Sequence, residues 1–201
     1  MPVVAKPKLP HGFPAKAERK AVSLRAELGL KPHDPLCAFR LCEHLNIHVV
    51  VAEQMVQMVG LSQSNASELC NPEGKYWSAV TMPYHPSQKA SHLIIHNSAH
   101  SSARQQSNIM HEVGHILCGH QLSAFDISNG LPDYMRDCPV EQELEADCMG
   151  WTLLLPRPAL LMALTNGWSH ADIMQHYSVS ADMVRLRINK TGIMRQLSYM
   201  R

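Results

Sequence analysis

Three residues in the middle of the chain could do chemistry together. They are His111, Glu112 and His115 of the pentad His-Glu-Val-Gly-His, an HExxH pattern within Ser107–Gly119. On a helix, two histidines four apart project from the same side one turn from each other. Their imidazole nitrogens can then chelate one zinc ion, and Glu112 can reach a water at the open position of that ion. Ile109, Val113, Ile116 and Leu117 recur at i, i+4, i+7 and i+8 on a different face, so the same helix can bury one side and present the other to a cleft. A bland alternative is a helix with surface histidines, since the chain holds 13 of them. Chance pentads in this composition number only about 0.04, which favours the metal reading.

A tetrahedral catalytic site needs a third protein ligand and keeps its fourth position open. Downstream, Val140, Leu144, Cys148, Trp151 and Leu155 fall at helical spacing, which predicts an amphipathic helix over 138–155. Glu143, Ala146, Asp147 and Gly150 share another face of it. The two small residues would let this helix approach the pentad helix closely. Glu143 then becomes the expected third ligand, and Asp147, one turn on, can accept the outer N–H of a ligand histidine. Glu145 lies on the side of Gln142 and Met149 and is the less favoured carboxylate.

Other histidines fit a metal less well. His120 stands five residues after His115, with Gly119 at four, so the pattern that would make it a third histidine ligand is missing. It reads as a helix-end residue. His92 and His96 belong to an apolar run, and in a strand their side chains would sit about 13 Å apart, too far for one ion.

The pentad, the Glu143-Leu-Glu-Ala-Asp147 segment and the Leu153-Leu-Leu-Pro156 tail together resemble the ImmA/IrrE family of metallo-endopeptidases. The similarity extends to Gly12-Phe13, Leu28-Gly-Leu30 and Arg104, about four-fifths of the chain. Where the family usually has an aromatic, a Ser or Thr, and an Ala before the pentad, this chain has Ser107, Asn108 and Met110. The ligand positions are unaltered. The three-ligand set leads to an expectation of one zinc per chain, and the resemblance implies cleavage of a helix-turn-helix repressor that derepresses stress or mobile-element genes. Composition and spacing are silent on that substrate.

At 201 residues the chain can bury one good core, and 45% hydrophobic with 17% charged residues is globular composition. A net charge of +1 gives no whole-molecule pull towards nucleic acid or an anionic membrane. No apolar run is long enough to span a bilayer and residues 1–20 lack a signal-peptide core, so a cytoplasmic location is expected. Cysteines 37, 42, 70, 118, 138 and 148 form no CxxC pair and read as reduced core thiols.

The expected fold class is α+β and zincin-like, mostly helical, with a small antiparallel or mixed sheet beside the pentad helix and short C-terminal helices. Residues 1–11 read as a flexible leader, 12–157 as the metallopeptidase domain and 158–201 as a helical cap. Within these, helices are expected over 14–29 and 35–45, the latter opened by Asp34-Pro35. Strands are expected at Ile47–Val51, Trp77–Met82 and His92–His96, with the last as the cleft edge that pairs with substrate backbone. Segments 60–75 and 121–137 read as loops, the second a cleft rim. Tyr84, His96 and Tyr134 are open choices for a donor to the oxyanion.

Past Pro156, short helices are predicted at Pro158–Leu164, Ala171–Tyr177 and Ala181–Asn189. The last two resemble a helix-turn-helix, with Arg185 and Arg187 on the second helix. Five Lys and Arg against two Asp from Trp168 to Arg201 is a weak excess. Met183, Leu186 and Ile188 instead suit a helix packed on the core, so DNA contact is not expected. The rival to the peptidase is a regulatory module that binds a repressor or DNA through 168–201 without cutting.

Overall fold

The computed structural model describes residues 7–59, 78–83, 90–121 and 138–199. Helix α1 (Phe13–Glu27) follows left-handed Gly12 (φ 77°), with Pro14 at an early helical position where no N–H is missed. It buries Phe13, Ala17, Ala21 and Leu24 along one stripe. Helix α2 (Ala38–His44) starts three residues later than expected. The carboxylate of Asp34 accepts the Lys31 amide at 2.8 Å, closing a local turn instead of capping the helix. Strand β1 (Ile47–Val51) and helix α3 (Ala52–Val59) come next; the sequence reading places no element at α3.

Strands β2 (Ala79–Pro83) and β3 (His92–His96) complete a three-stranded mixed sheet in the order β1-β3-β2. β3 is parallel to β1, with Ile94 opposite Val49, and antiparallel to β2, with Ile94 opposite Thr81. The period of two divides the sheet: Ile47, Ile94 and Ala79 face the main core, while Val50, Ile95 and Val80 form a small cluster on the other side. This corrects the expectation for His92–His96. β3 is the central strand, both of its edges are already paired, and it cannot take up a substrate strand. Among the described residues the open edge next to the pentad helix belongs to β2, which packs against that helix. Adjacency in sequence to the pentad suggested β3; the parallel pairing with distant β1 is what buries it.

Helix α4 (Ser102–Cys118) carries the pentad and begins five residues before Ser107. Helix α5 (Val140–Leu154) runs beside it, and α6 (Arg157–Thr165), α7 (His170–Tyr177), α8 (Ala181–Thr191) and α9 (Ile193–Tyr199) follow. Ser169 and Asp172 form a capping box on α7, and Ser180 caps α8. These later helices share one core with α1, α4 and α5 through Leu160, Ile173, Val184 and Ile193. The inward face of α8 differs from the expected one: Met183, Val184 and Arg187 are buried, and Leu186 and Ile188 only partly so. Arg187 donates to Leu155 O at 2.8 Å and to Glu18 at 2.6 Å, and Arg25 donates to Leu153 O at 2.8 Å. Two guanidinium groups thus satisfy carbonyls at the C-terminal end of α5, where the helix dipole favours positive charge. An arginine used in this way is unavailable to nucleic acid.

No single helix among the described residues is long and apolar enough to cross a membrane. The five described cysteines are free, and Cys70 lies outside the described residues. So do Tyr84, Tyr134, residues 1–6 of the leader, the 60–75 loop, the 84–89 connection and the 122–137 rim.

Candidate metal centre

Two glycines let α4 and α5 touch backbone to backbone. A Cβ on Gly114 would lie 2.5 Å from Ala146 O, and one on Gly150 would lie 2.9 Å from Met110 O. The pairs 114 with 146 and 110 with 150 step in opposite directions, so the helices run antiparallel. Ala146 and Gly150 were anticipated as the small face of α5. Gly114, inside the pentad, contributes equally and carries no distinct periodic signal.

This seam brings the side chains together one turn at a time. His111 Nδ1 is 2.9 Å from Asp147 Oδ1, and one turn along His115 Nε2 is 3.4 Å from Glu143 Oε1. Glu143 Oε2 also lies 3.3 Å from His111 Nε2, and the two Nε2 atoms are 3.1 Å apart. A tetrahedral zinc with bonds of about 2.0–2.1 Å has ligand-to-ligand edges of about 3.3 Å. Two imidazole nitrogens and a carboxylate with one oxygen near each of them, all from two helices, therefore gather close to the spacing such an ion requires. The N/N/O donor set also suits zinc. His111, His115 and Glu143 are thus the residues that could hold a metal. Asp147 stands behind His111, placed to accept from Nδ1–H, so Nε2 is the ring atom turned towards the ligand cluster.

The electrostatics favour positive charge at this point. Burial opposes charge on His111, yet hydrogen bonds to Asp147 and Glu143, with Glu112 nearby, outweigh it and lift the imidazole to about 10. Hydrogen bonds from His111 and His115 hold the Glu143 carboxyl well below the usual carboxylate range. Glu143 also lies in the first turn of α5, where the helix N-terminus stabilises a carboxylate. The Glu143 side chain is 43% exposed and that of His115 8%, so the cluster has a buried inner side and an open outer one.

Glu112 takes no part in the ligand cluster. Thr81 of β2 donates to Glu112 Oε2 at 2.6 Å, from the core-facing side of the sheet. The hydroxyl fixes the carboxylate between the open edge strand and the two histidines. Sequence reasoning missed Thr81, because nothing in a lone strand threonine 31 residues upstream points to α4. It also missed the partners of His115: His120 Nδ1 lies 2.9 Å from His115 Nδ1, and His120 Nε2 lies 3.2 Å from Glu145. His96 is buried, with its ring edge-on to Phe39 at 5.5 Å, and offers no donor to an open cleft.

No curated protein matches the chain by sequence. A peptidase-family model, described as IrrE N-terminal-like domain, matches residues 42–189 and so takes in the sheet, both helices that carry the candidate ligands and most of the C-terminal helices. The pentad, the antiparallel α4–α5 seam and the carboxylate cluster all fall inside that span: the chain belongs to the ImmA/IrrE family of peptidases, which is described by this IrrE N-terminal-like domain.

Proposed function

We propose that the protein is a zinc-dependent endopeptidase of narrow specificity, which cuts a helix-turn-helix repressor in the cytoplasm and so releases stress or mobile-element genes. The observation that carries this reading is the convergence of His111 Nε2 and His115 Nε2, 3.1 Å apart, on the Glu143 carboxylate, whose Oε2 lies 3.3 Å from the first and Oε1 3.4 Å from the second. One zinc per chain fits the set. Bound there, zinc supplies Lewis acidity towards the scissile carbonyl and acidifies a water at its open position.

The chain's own residues do the rest. Glu112, steadied by Thr81, accepts a proton from the attacking water and returns it to the leaving amine. Asp147 keeps the His111 ring in one tautomer and orientation. Among the described residues the outer edge of β2 is unpaired, and its backbone N–H and C=O groups are where an extended substrate segment can add as a strand, on the strand whose Thr81 holds Glu112. Strand addition requires an unfolded or loop segment of substrate, which is consistent with a narrow job rather than general digestion.

The test is to express the wild-type chain and a His115→Ala variant, each with candidate repressors, and to map shortened proteins by mass spectrometry. A discrete fragment pair that appears only with the wild type supports the reading. Relief of repression by both forms, with every repressor intact, would replace it with the binding-module reading.

A further inference from the structure

Behind the ligand cluster lies a second group, Cys118, His120 and Glu145, whose ligand atoms fall within 4.8 Å of one another. A sulfur, a nitrogen and an oxygen at such spacing could hold a second ion. Counting protons points elsewhere, given the zinc reading of the first site on which this inference rests. To ligate through Nε2, neutral His115 must carry its proton on Nδ1, and that N–H then donates to His120 Nδ1 at 2.9 Å. Neutral His120 must therefore carry its own proton on Nε2, from which it donates to Glu145 Oε2 at 3.2 Å. Each ring has one proton, and every proton has an acceptor. An ion on His120 Nε2 would move that proton to Nδ1, where it would face the N–H of His115, or would demand an imidazolate.

We propose that His120 and Glu145 are positioning residues for the metal ligand His115, forming a Glu145–His120–His115 relay that matches the direct Asp147–His111 contact on the other ligand. The backbone is built to deliver it. Gly119 closes α4 in the left-handed region (φ 72°), and the chain turns back so that His120 N donates to His115 O at 3.1 Å. The two rings meet edge-on with centroids 5.0 Å apart. The His115 and His120 side chains are 8% and 6% exposed, so water competes poorly for these bonds. Glu145 takes the acceptor's place at the end of the relay, a role distinct from the ligand role that Glu143 fills two residues earlier. A ligand histidine oriented in this way is a better base and loses less rotational freedom on metal binding.

Zinc affinity of the full chain, measured by competition with a chromophoric chelator, tests the relay. His120→Leu keeps bulk but offers His115 no acceptor, and should weaken zinc binding about 10–100-fold. Glu145→Ala should weaken it less, and Glu145→Gln, whose amide oxygen still accepts from His120, should stay close to wild type. Cys118→Ser should change nothing. Circular dichroism checks that each variant folds, and the Glu145 pair carries the test if His120→Leu does not. Wild-type affinity in both His120→Leu and Glu145→Ala would overturn the relay while leaving the first site standing. Two zinc ions per wild-type chain, one of them lost in Cys118→Ser, would overturn it in favour of a second metal site. A wild-type chain that holds no zinc would overturn the relay and the site together, which separates that failure from the other two.

Discussion

Replacing Gly114 by alanine sets two effects of opposite sign against each other. In an exposed helix interior the change would stabilise by about 1 kcal/mol, through helix propensity. Here the new methyl would stand 2.5 Å from Ala146 O, and ordinary contact begins near 3.4 Å, so α4 and α5 must part by roughly 0.9 Å. The obstacle is backbone on a packed helix and cannot swing aside. Overpacking of this kind costs about 1–3 kcal/mol, occasionally more, and should outweigh the propensity gain. A net loss of up to about 2 kcal/mol would lower the melting temperature of a chain this size by up to roughly 8 °C. The metal site should suffer as well. His115 and Glu143 sit on opposite sides of the seam at 3.4 Å, and parting the helices would stretch that edge beyond the roughly 3.3 Å of a tetrahedral zinc. Thermal melts with and without chelator, together with zinc competition, measure both consequences. Gly150→Ala, with its nearest contact at 2.9 Å, should show the same effects in milder form. A chelated Gly114→Ala protein that melts at or above wild type, or that is milder than Gly150→Ala, would refute the close-packed seam.

The same geometry sets further expectations. His115→Ala and Glu143→Gln should each lose most bound zinc by elemental analysis, and undiminished stoichiometry in either would remove that residue from the ligand set. Thr81→Val removes one hydrogen bond to a carboxylate while keeping the side-chain shape, so kcat should fall about tenfold with zinc content and KM unchanged, and Thr81→Ser should restore it. An unchanged kcat in Thr81→Val would deny the hydroxyl its role in steadying Glu112. Burial pushes the Cys42 thiol up to about 12 and Cys118 to about 11, and raises Cys148, so these thiols stay protonated at neutral pH. Iodoacetamide should modify them slowly in the native protein and rapidly in denaturant, read by peptide mass mapping; fast native labelling of Cys42 would contradict its burial.

Much of this arrangement was legible in the residues because it depends on short-range periodicity. The four-residue spacing of His111 and His115 sets their common side whatever surrounds them. The i, i+3, i+4, i+7 spacing of Glu143, Ala146, Asp147 and Gly150 puts the candidate ligand, the small residues and Asp147 on one face. Short runs rich in β-branched residues, Ile47–Val51 and His92–His96, were read with their observed bounds. What escaped depends on contacts between distant segments. The sheet order that buries β3 arises from pairing with β1, some 45 residues earlier, and no local pattern encodes it. Thr81 matters only because β2 lies under α4. Asp34 looked like a helix cap, and the competing turn to Lys31 took its carboxylate. Arg187 looked like an outward cation, until the Leu155 carbonyl at the end of α5 and Glu18 on α1 gave it partners inside. His120 was judged by ligand spacing, whereas its contact with His115 depends on a left-handed Gly119 that turns the chain back.

The central claim is that Glu112 is the proton-transferring group of a zinc peptidase and not one of its metal ligands. It is tested most directly by the rate at which zinc-loaded Glu112→Gln cleaves the cognate repressor, relative to zinc-loaded wild type. Glutamine keeps the size of the side chain and can still accept from Thr81, so zinc content and melting should stay at wild-type levels. Loss of the general base should slow cleavage by about 10²–10⁴-fold, or roughly 3–5 kcal/mol of barrier. A folded, fully zinc-loaded Glu112→Gln protein that cleaves at more than about a tenth of the wild-type rate would contradict the claim.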